Sequence, residues 1–487
     1  MNIGVVLAIL LAGVLITFIS GDQRAKQIAL VFSIATLLST IWMLIGYLNG
    51  TDMGMSIPWI QNPDIDFAFK IDGLALAMIL LTSVLTPIII LTTWNRDIHD
   101  SRVLFALILF METAMLGTFS SSDGLLYYIF WELSLIPIYF IILFWGGSKF
   151  SKRKKTVFTF FIFTFAGSLF MLISIIYLYS QSGNFALDSW YNLNLPAQVQ
   201  YWVFGGFFLA YAIKIPLIPF HSWQASTYHR APAYGTMLLA GIMLKMGLYS
   251  IIRWQLPVLP AAAETFKPIL IGLSLAGVIY GSIITLRQKN IKRFLAYSSL
   301  AHVGLIAAGA YSLTADGISG AIVQMLAHGL VIVGLFYIAD IIYARYETLK
   351  IGEMGGIKVQ APKLSLAFML LILASVALPT TFNFIGEFSI LYGLNQLNIW
   401  YAVLGGLTII LGAFYMLRMF QQTMTGEANP KFFADLKSGE GFIFALLILL
   451  LLFFGIYPQP ILDLISPSVQ EILQQVNAHP AVTTLIN

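Results

Sequence analysis

Fourteen apolar stretches, each about as long as a membrane-crossing helix, run through this sequence from residue 2 to residue 458. A hydrocarbon layer of roughly 30 Å needs about 20 apolar residues of helix to cross it. The chain is 59% hydrophobic and only 10% charged, against about 25% charged in soluble proteins. So few charges cannot cover so much apolar surface in water. The reading is an all-α polytopic membrane protein of about 14 transmembrane helices. It excludes a soluble enzyme, a disordered chain and a nucleic-acid binder, the last also because the net charge is only +4. The first stretch, near 2–20, lacks the basic leader and small-residue cleavage site of a signal peptide and is read as a retained span.

The basic residues fix the orientation. Of 26 Lys and Arg, only Lys70, Arg253 and Lys267 fall in loops on one side, and Lys214 and Lys245 fall inside spans. All the others, from Arg24 to Lys437 and including Lys431, collect in the opposite set of loops. Lys and Arg favour cytoplasmic loops, so both termini are expected on the far side of the membrane, the periplasmic or outer side. No linker suggests a second soluble domain. The segments near 49–72, 342–365 and 423–440 read as ordinary connecting loops, and the tail after the last span as short and amphipathic. One membrane domain therefore spans 1–487, with spans one to three in 1–95 and the last span and tail in 441–487.

A charge at the bilayer centre costs at least about 2.5–3.5 kcal/mol. Glu112, Glu132, Lys214, Lys245 and Glu387 nevertheless lie within spans, joined by His302 and His328. Buried ion pairs that merely hold helices together are one explanation, but such pairs usually break even. Groups that load and release protons are the other, because burial and partners move their proton affinity. Lys214 is followed by Pro216 and Pro219, which should break its helix, and Pro379 precedes Asn383 and Glu387 on a later span. Irregular backbone in a membrane is tolerated only inside protein or beside a wet cavity. Spans seven and twelve are thus both broken, each carries an ionisable group, and five spans separate them. That spacing suggests two inverted five-helix repeats, spans four to eight (103–252) and nine to thirteen (266–422). Ser298 with His302 and Gln324 with His328 form polar stripes at i, i+4. Proton relay, structural hydrogen bonding and bis-histidine haem ligation all remain open for these histidines. The chain has no cysteine, which excludes thiolate iron–sulfur and zinc ligation. No phosphate, dinucleotide or metal motif stands out.

The run Lys214, Pro216, Pro219, His221, Trp223, Ala231-Pro232, Leu239-Ala240-Gly241, Leu244-Lys245 and Gly247 resembles the antiporter-like membrane subunits of respiratory complex I, the NADH:quinone oxidoreductase. Trp131-Glu132, Tyr297-Ser298-Ser299 to His302, and Asn383 to Phe388 agree with it. The glutamate in broken span twelve is similar to the M-type branch, the counterpart of mitochondrial subunit four, and the short tail is unlike the L-type. The resemblance implies proton translocation coupled to NADH oxidation and quinone reduction in partner subunits. The alternative within the wider family is a subunit of a multi-subunit cation/proton (Na+/H+) antiporter. It further implies that Glu132 pairs with Lys214, that Lys214 and Lys245 bind protons, and that His302 and His328 lead from Lys245 toward Glu387 as the exit group. Glu112 would be an accessory carboxylate. NADH, FMN, iron–sulfur clusters and quinone would reside in partner chains, with no cofactor or metal in this one. Neighbours would be the L- and N-type subunits and membrane lipids, and the place a bacterial inner (cytoplasmic) membrane. The sequence departs from the family pattern after Trp223, where Gln224, Ala225, Ser226 and Arg230 stand in place of loop carboxylates.

Overall fold

The computed structural model describes residues 2–61, 64–427 and 432–478. Lys431, one of the basic loop residues, and the end of the tail from 479 lie outside them. Among the described residues, 11 helices are long and apolar enough to cross a membrane, and two shorter apolar helices, Ile3–Ile19 and Pro362–Ser375, accompany them. The protein is a largely helical, multi-pass membrane protein.

Several spans start where the sequence supplies a side-chain cap. Asp72 accepts from the Ala75 N–H, Asp123 from those of Leu125 and Leu126, Thr314 from that of Gly317 and Asn398 from that of Trp400. Such caps satisfy the orphan donors of a first helical turn. Hydroxyls inside spans bond back to their own helix, as Thr82 does to the Met78 carbonyl and Thr118 to that of Ala114. With no water in the hydrocarbon, this satisfies these hydroxyls within their own segment.

The chain divides into two compact units. The first comprises Met1–Ile215, Ile242–Lys267 and Leu464–Asn487, and the second Pro216–Gly241 and Pro268–Asp463. Both broken spans are present. The helix Ala197–Lys214 ends at the lysine, and irregular turns carry the chain to the helix Gln224–Arg230. The helix Pro362–Ser375 ends before a break in which Ala377 and Thr380 take positive φ, and the chain restarts as Phe382–Leu397. A third interruption lies at Ser134, between helices Gly124–Leu133 and Leu135–Trp145. Pro137 has no N–H to give to the turn before it.

Two expectations need correction. The segment 49–72 is not an ordinary loop. Strands Met55–Gln61 and Asp64–Phe69 pair antiparallel, Met55 opposite Phe69, with an irregularity between Pro58 and Ile60. Among the described residues this two-stranded hairpin is the one sheet in an otherwise helical chain. The hairpin is held by backbone bonds from Lys70 to Ser120 and from Ser122 to Ala68. Second, Arg253 is not a loop residue. The helical segment Ala233–Val258 runs past it, and its guanidinium is ion-paired with Asp72, both groups buried. That counter-charge is what lets an arginine sit inside an apolar span. The tail is amphipathic as expected: it forms the helix Gln459–Ala478, whose Leu464, Ile465, Val469, Ile472 and Val476 are buried.

Candidate functional site

The ionisable groups fall into one cluster in each unit. In the first unit, Lys214 is 3% exposed. Its ammonium donates to Ser134 Oγ at 3.3 Å and lies 4.8 Å from the centre of the Trp131 ring. Glu132 is half-buried, lies beside Ser168 and acts electrostatically on Lys214. No ion pair within 4.0 Å joins Glu132 to Lys214; the hydrogen bond of the ammonium goes to Ser134. The break at Ser134 turns this hydroxyl toward the lysine. Cation–π contact with Trp131 adds about 2 kcal/mol or more in a desolvated site.

Lys245 is fully buried. It lies in the helix Leu244–Ser250, with π-helical turns Leu239–Met243 before it and Ile251–Gln255 after it. Each π turn inserts one residue and shifts the facing of everything beyond it, an arrangement frequent at functional sites. Gly247 brings the backbone carrying Lys245 against the end of the Lys214 helix. A Cβ there would stand 2.4 Å from Ile215 Cγ2 and 3.4 Å from Lys214 Cβ. Nearby, the Tyr127 hydroxyl lies 2.7 Å from Ser250 Oγ and 3.2 Å from the Tyr211 hydroxyl. Glu112, in the helix Ser101–Ser120, is fully buried and neither carboxylate oxygen has a hydrogen-bond partner. Thr86 is beside it, but that hydroxyl donates to the Thr82 carbonyl at 3.0 Å.

In the second unit, the helices Ile291–Tyr311, Ala315–Tyr346 and Phe382–Leu397 assemble a compact polar core. Glu387, 1% exposed, accepts from Gln324 Nε2 at 3.0 Å and contacts His302 Nδ1 at 3.1 Å through the same oxygen, Oε1. Its Oε2 and the His302 Nε2 have no hydrogen-bond partner. His328 Nε2 is 3.1 Å from Ser299 Oγ, and the two histidine rings are 6.0 Å apart. Ser298 donates to the buried Tyr415 hydroxyl at 3.2 Å. The i, i+4 stripes therefore separate: His302 and Gln324 converge on Glu387, while Ser298 and His328 turn to other partners. Asn383 is buried beside them in sequence but its Oδ1 finds no partner.

Close helix approach makes this convergence possible. A Cβ at Gly386 would meet Gln324 Oε1 at 2.6 Å, and one at Gly320 the Ile390 nitrogen at 2.6 Å. Small residues let membrane helices approach to such distances. Chemically, a buried carboxylate, imidazole and amide in contact can exchange and hold a proton.

Sequence reasoning named seven ionisable groups but did not find Ser134 beside Lys214, Ser299 beside His328, Tyr415 beside Ser298, or the buried pair of Arg253 with Asp72. Ser134 had a visible signal, standing two residues after Glu132 and before Pro137. The others come from distant helices, and a single sequence gives no sign of the contact.

Comparison with known proteins gives a consistent result. The family model described as NADH:quinone oxidoreductase/Mrp antiporter, TM, matches residues 121–421. NADH-quinone oxidoreductase subunit M of Rickettsia prowazekii is 40% identical over 463 residues, covering 93% of both chains. NADH-ubiquinone oxidoreductase chain 4 of Arabidopsis thaliana is 34% identical, covering 98% of this chain and 97% of that one. In the structure of respiratory complex I from Thermus thermophilus with bound NADH, one chain superposes with a TM-score of 0.90 at 28% identity, covering 97% of this chain and 99% of that chain. The broken helices, the buried lysines and the His–Glu core thus sit in a chain that belongs to the NADH:quinone oxidoreductase/Mrp antiporter membrane-subunit family.

Proposed function

We propose that this chain is the M-type membrane subunit of an NADH:quinone oxidoreductase. It moves protons across the membrane, coupled to NADH oxidation and quinone reduction in partner subunits. The observation that carries the reading is the Glu387–His302–Gln324 core: a carboxylate at 1% exposure with a titratable partner rather than a fixed cation. A purely structural pair would be served better by the arrangement seen at Asp72 and Arg253, where the positive charge is permanent.

In this mechanism Lys214 takes up a proton while Glu132 stabilises it. When the field of Glu132 weakens, Lys214 loses that stabilisation and passes the proton on. The proposed order is Lys214, Lys245, His328 and His302, then Glu387 as the exit group, with Glu112 an accessory carboxylate. Flavin, iron–sulfur clusters and quinone belong to the partner chains, and this subunit contributes no redox chemistry of its own. The bundle comprises fourteen spans, of which four to eight and nine to thirteen are inverted repeats. It sits in a bacterial inner membrane with both termini on the periplasmic side, between L- and N-type neighbours.

The test uses the assembled complex carrying Lys214→Ala or Glu387→Gln. Both variants are expected to oxidise NADH with an artificial electron acceptor while proton translocation coupled to quinone reduction is lost. Normal proton translocation by either assembled variant would refute the reading. Sodium–proton exchange by a purified complex that does not oxidise NADH would replace it with the antiporter alternative.

A further inference from the structure

One cavity of about 880 Å³ lies in the second unit, where the helix Pro260–Leu286 ends, Ile291–Tyr311 begins and Ile399–Met424 nears its end. None of the groups assigned to proton transfer lines it. Its wall carries Arg287, Lys289 and Arg418 together with apolar Leu286, Phe294 and Met419. Lys350 and Glu353, also in the wall, neutralise each other at 2.7 Å. Among the described residues, Arg287, Lys289 and Arg418 have no carboxylate within ion-pair distance. Three uncompensated cations around one opening are a binding surface for an anion.

Position selects the kind of anion. The cavity sits at the ends of three candidate spans, the depth of lipid headgroups. Arg418 precedes the end of its helix by six residues, about 9 Å at 1.5 Å per residue, so its stem lies along apolar surface while its head reaches outward. Ile283 lies four residues before Arg287 and Phe414 four before Arg418, one helical turn deeper on the same face, and they are 52% and 57% exposed. A soluble anion would use only the cations, whereas an anionic lipid also covers this apolar surface.

We propose that this cavity seats the phosphate headgroup of an anionic phospholipid on Arg287, Lys289 and Arg418, with acyl chains against Ile283 and Phe414. Basic pockets between membrane helices are suited to such headgroups. Each cation near an anionic headgroup contributes about a fivefold factor in affinity, so the three together account for on the order of a hundredfold.

The experiment uses the intact, delipidated complex and measures retention of phosphatidylglycerol, phosphatidylcholine and inorganic phosphate by this subunit. It compares the native chain, the triple variant Arg287→Gln/Lys289→Gln/Arg418→Gln, and a control triple, Lys152→Gln/Lys154→Gln/Lys155→Gln, on another basic segment. The expected result is selective retention of phosphatidylglycerol, on the order of a hundredfold weaker in the first triple and unchanged in the control. If the triple does not assemble, Arg418→Gln alone should weaken retention about fivefold. Equal retention of phosphatidylcholine, equal loss in the control, or retention by the triple would overturn the proposal. Competition by inorganic phosphate with no preference for the lipid would make it a free-phosphate site. Crosslinking of Arg418 to an acidic segment of another subunit would make it a protein interface.

Discussion

At Gly386 a hydrogen atom stands where any other residue would carry a methyl group into Gln324. The gap of 2.6 Å to Gln324 Oε1 and 2.8 Å to its Cβ is shorter than a real Cβ contact. The same side chain supplies the Nε2 bond to Glu387. Gly386→Ala should therefore act twice. Overpacking of a dense interior costs about 1–3 kcal/mol, and displacing Gln324 leaves Glu387 Oε1 with His302 alone. The expected outcome is a complex that unfolds at lower temperature and translocates protons more slowly, checked by thermal denaturation and by proton flux per NADH oxidised. An alanine variant matching the native chain in both would show that the helix crossing has slack. The ionisable residues of this core were legible in the sequence, because a charge inside an apolar run is costly and stands out. The glycine was not, since the chain has 39 of them and only the partner helix tells which one matters.

Among the elements, the broken spans were legible because proline acts locally, on its own and the preceding turn. The π turns around Lys245 and the hairpin at 55–69 were not. A π turn leaves no residue signature in Leu239–Met243, and the hairpin reads as a polar loop because most of its first strand is exposed. The start of the broken span at Pro362 shows how a distant loop can fix a helix end. Asp435 Oδ1 accepts from the Leu364 and Leu436 N–H groups at 3.0 and 2.8 Å, and Oδ2 accepts from that of Lys363 at 3.1 Å. Burial pushes this carboxyl up, but the three N–H bonds outweigh it and hold Asp435 below the usual carboxylate range. A depressed folded value means the contribution is present above the unfolded carboxylate value of about 3.9 and is lost as pH falls through the folded one. Amide exchange at 363–365 should accordingly stay slow at pH 5 and above and rise below pH 4. Asp435→Asn should show fast exchange at every pH, and a flat profile in the native chain would refute the role of the carboxylate.

For the whole molecule, what the alternation of apolar runs and basic loops encodes is the traverse of the membrane. How the tail returns to the first unit is not encoded there. The amphipathic pattern of Gln459–Ala478 shows that one face must be covered without naming the cover. In the structure the first half of the tail helix meets the start of the helix Gly73–Thr92. A Cβ on Gly73 would overlap the Leu464 carbonyl, and the Leu74 N–H donates to Ser468 Oγ at 3.3 Å. Lys70 adds an ion pair to Glu471 at 3.3 Å, both side chains about two-fifths exposed. The magnitudes separate these contributions. An exposed pair of this kind contributes about 0–1 kcal/mol, whereas each fully buried Leu, Ile or Val contributes about 1.5–3 kcal/mol. The apolar face must hold the helix, and the charge pair only trims its register. Ile472, 1% exposed, therefore decides the docking. Ile472→Asp buries an unpaired carboxylate at a cost of several kcal/mol and should release the helix. Limited proteolysis of the assembled complex would then cut within 459–478, with a lower unfolding temperature. Glu471→Gln should leave both measurements near native. The reverse ranking, with Glu471→Gln the more damaging, would mean that electrostatics rather than apolar burial seats the tail.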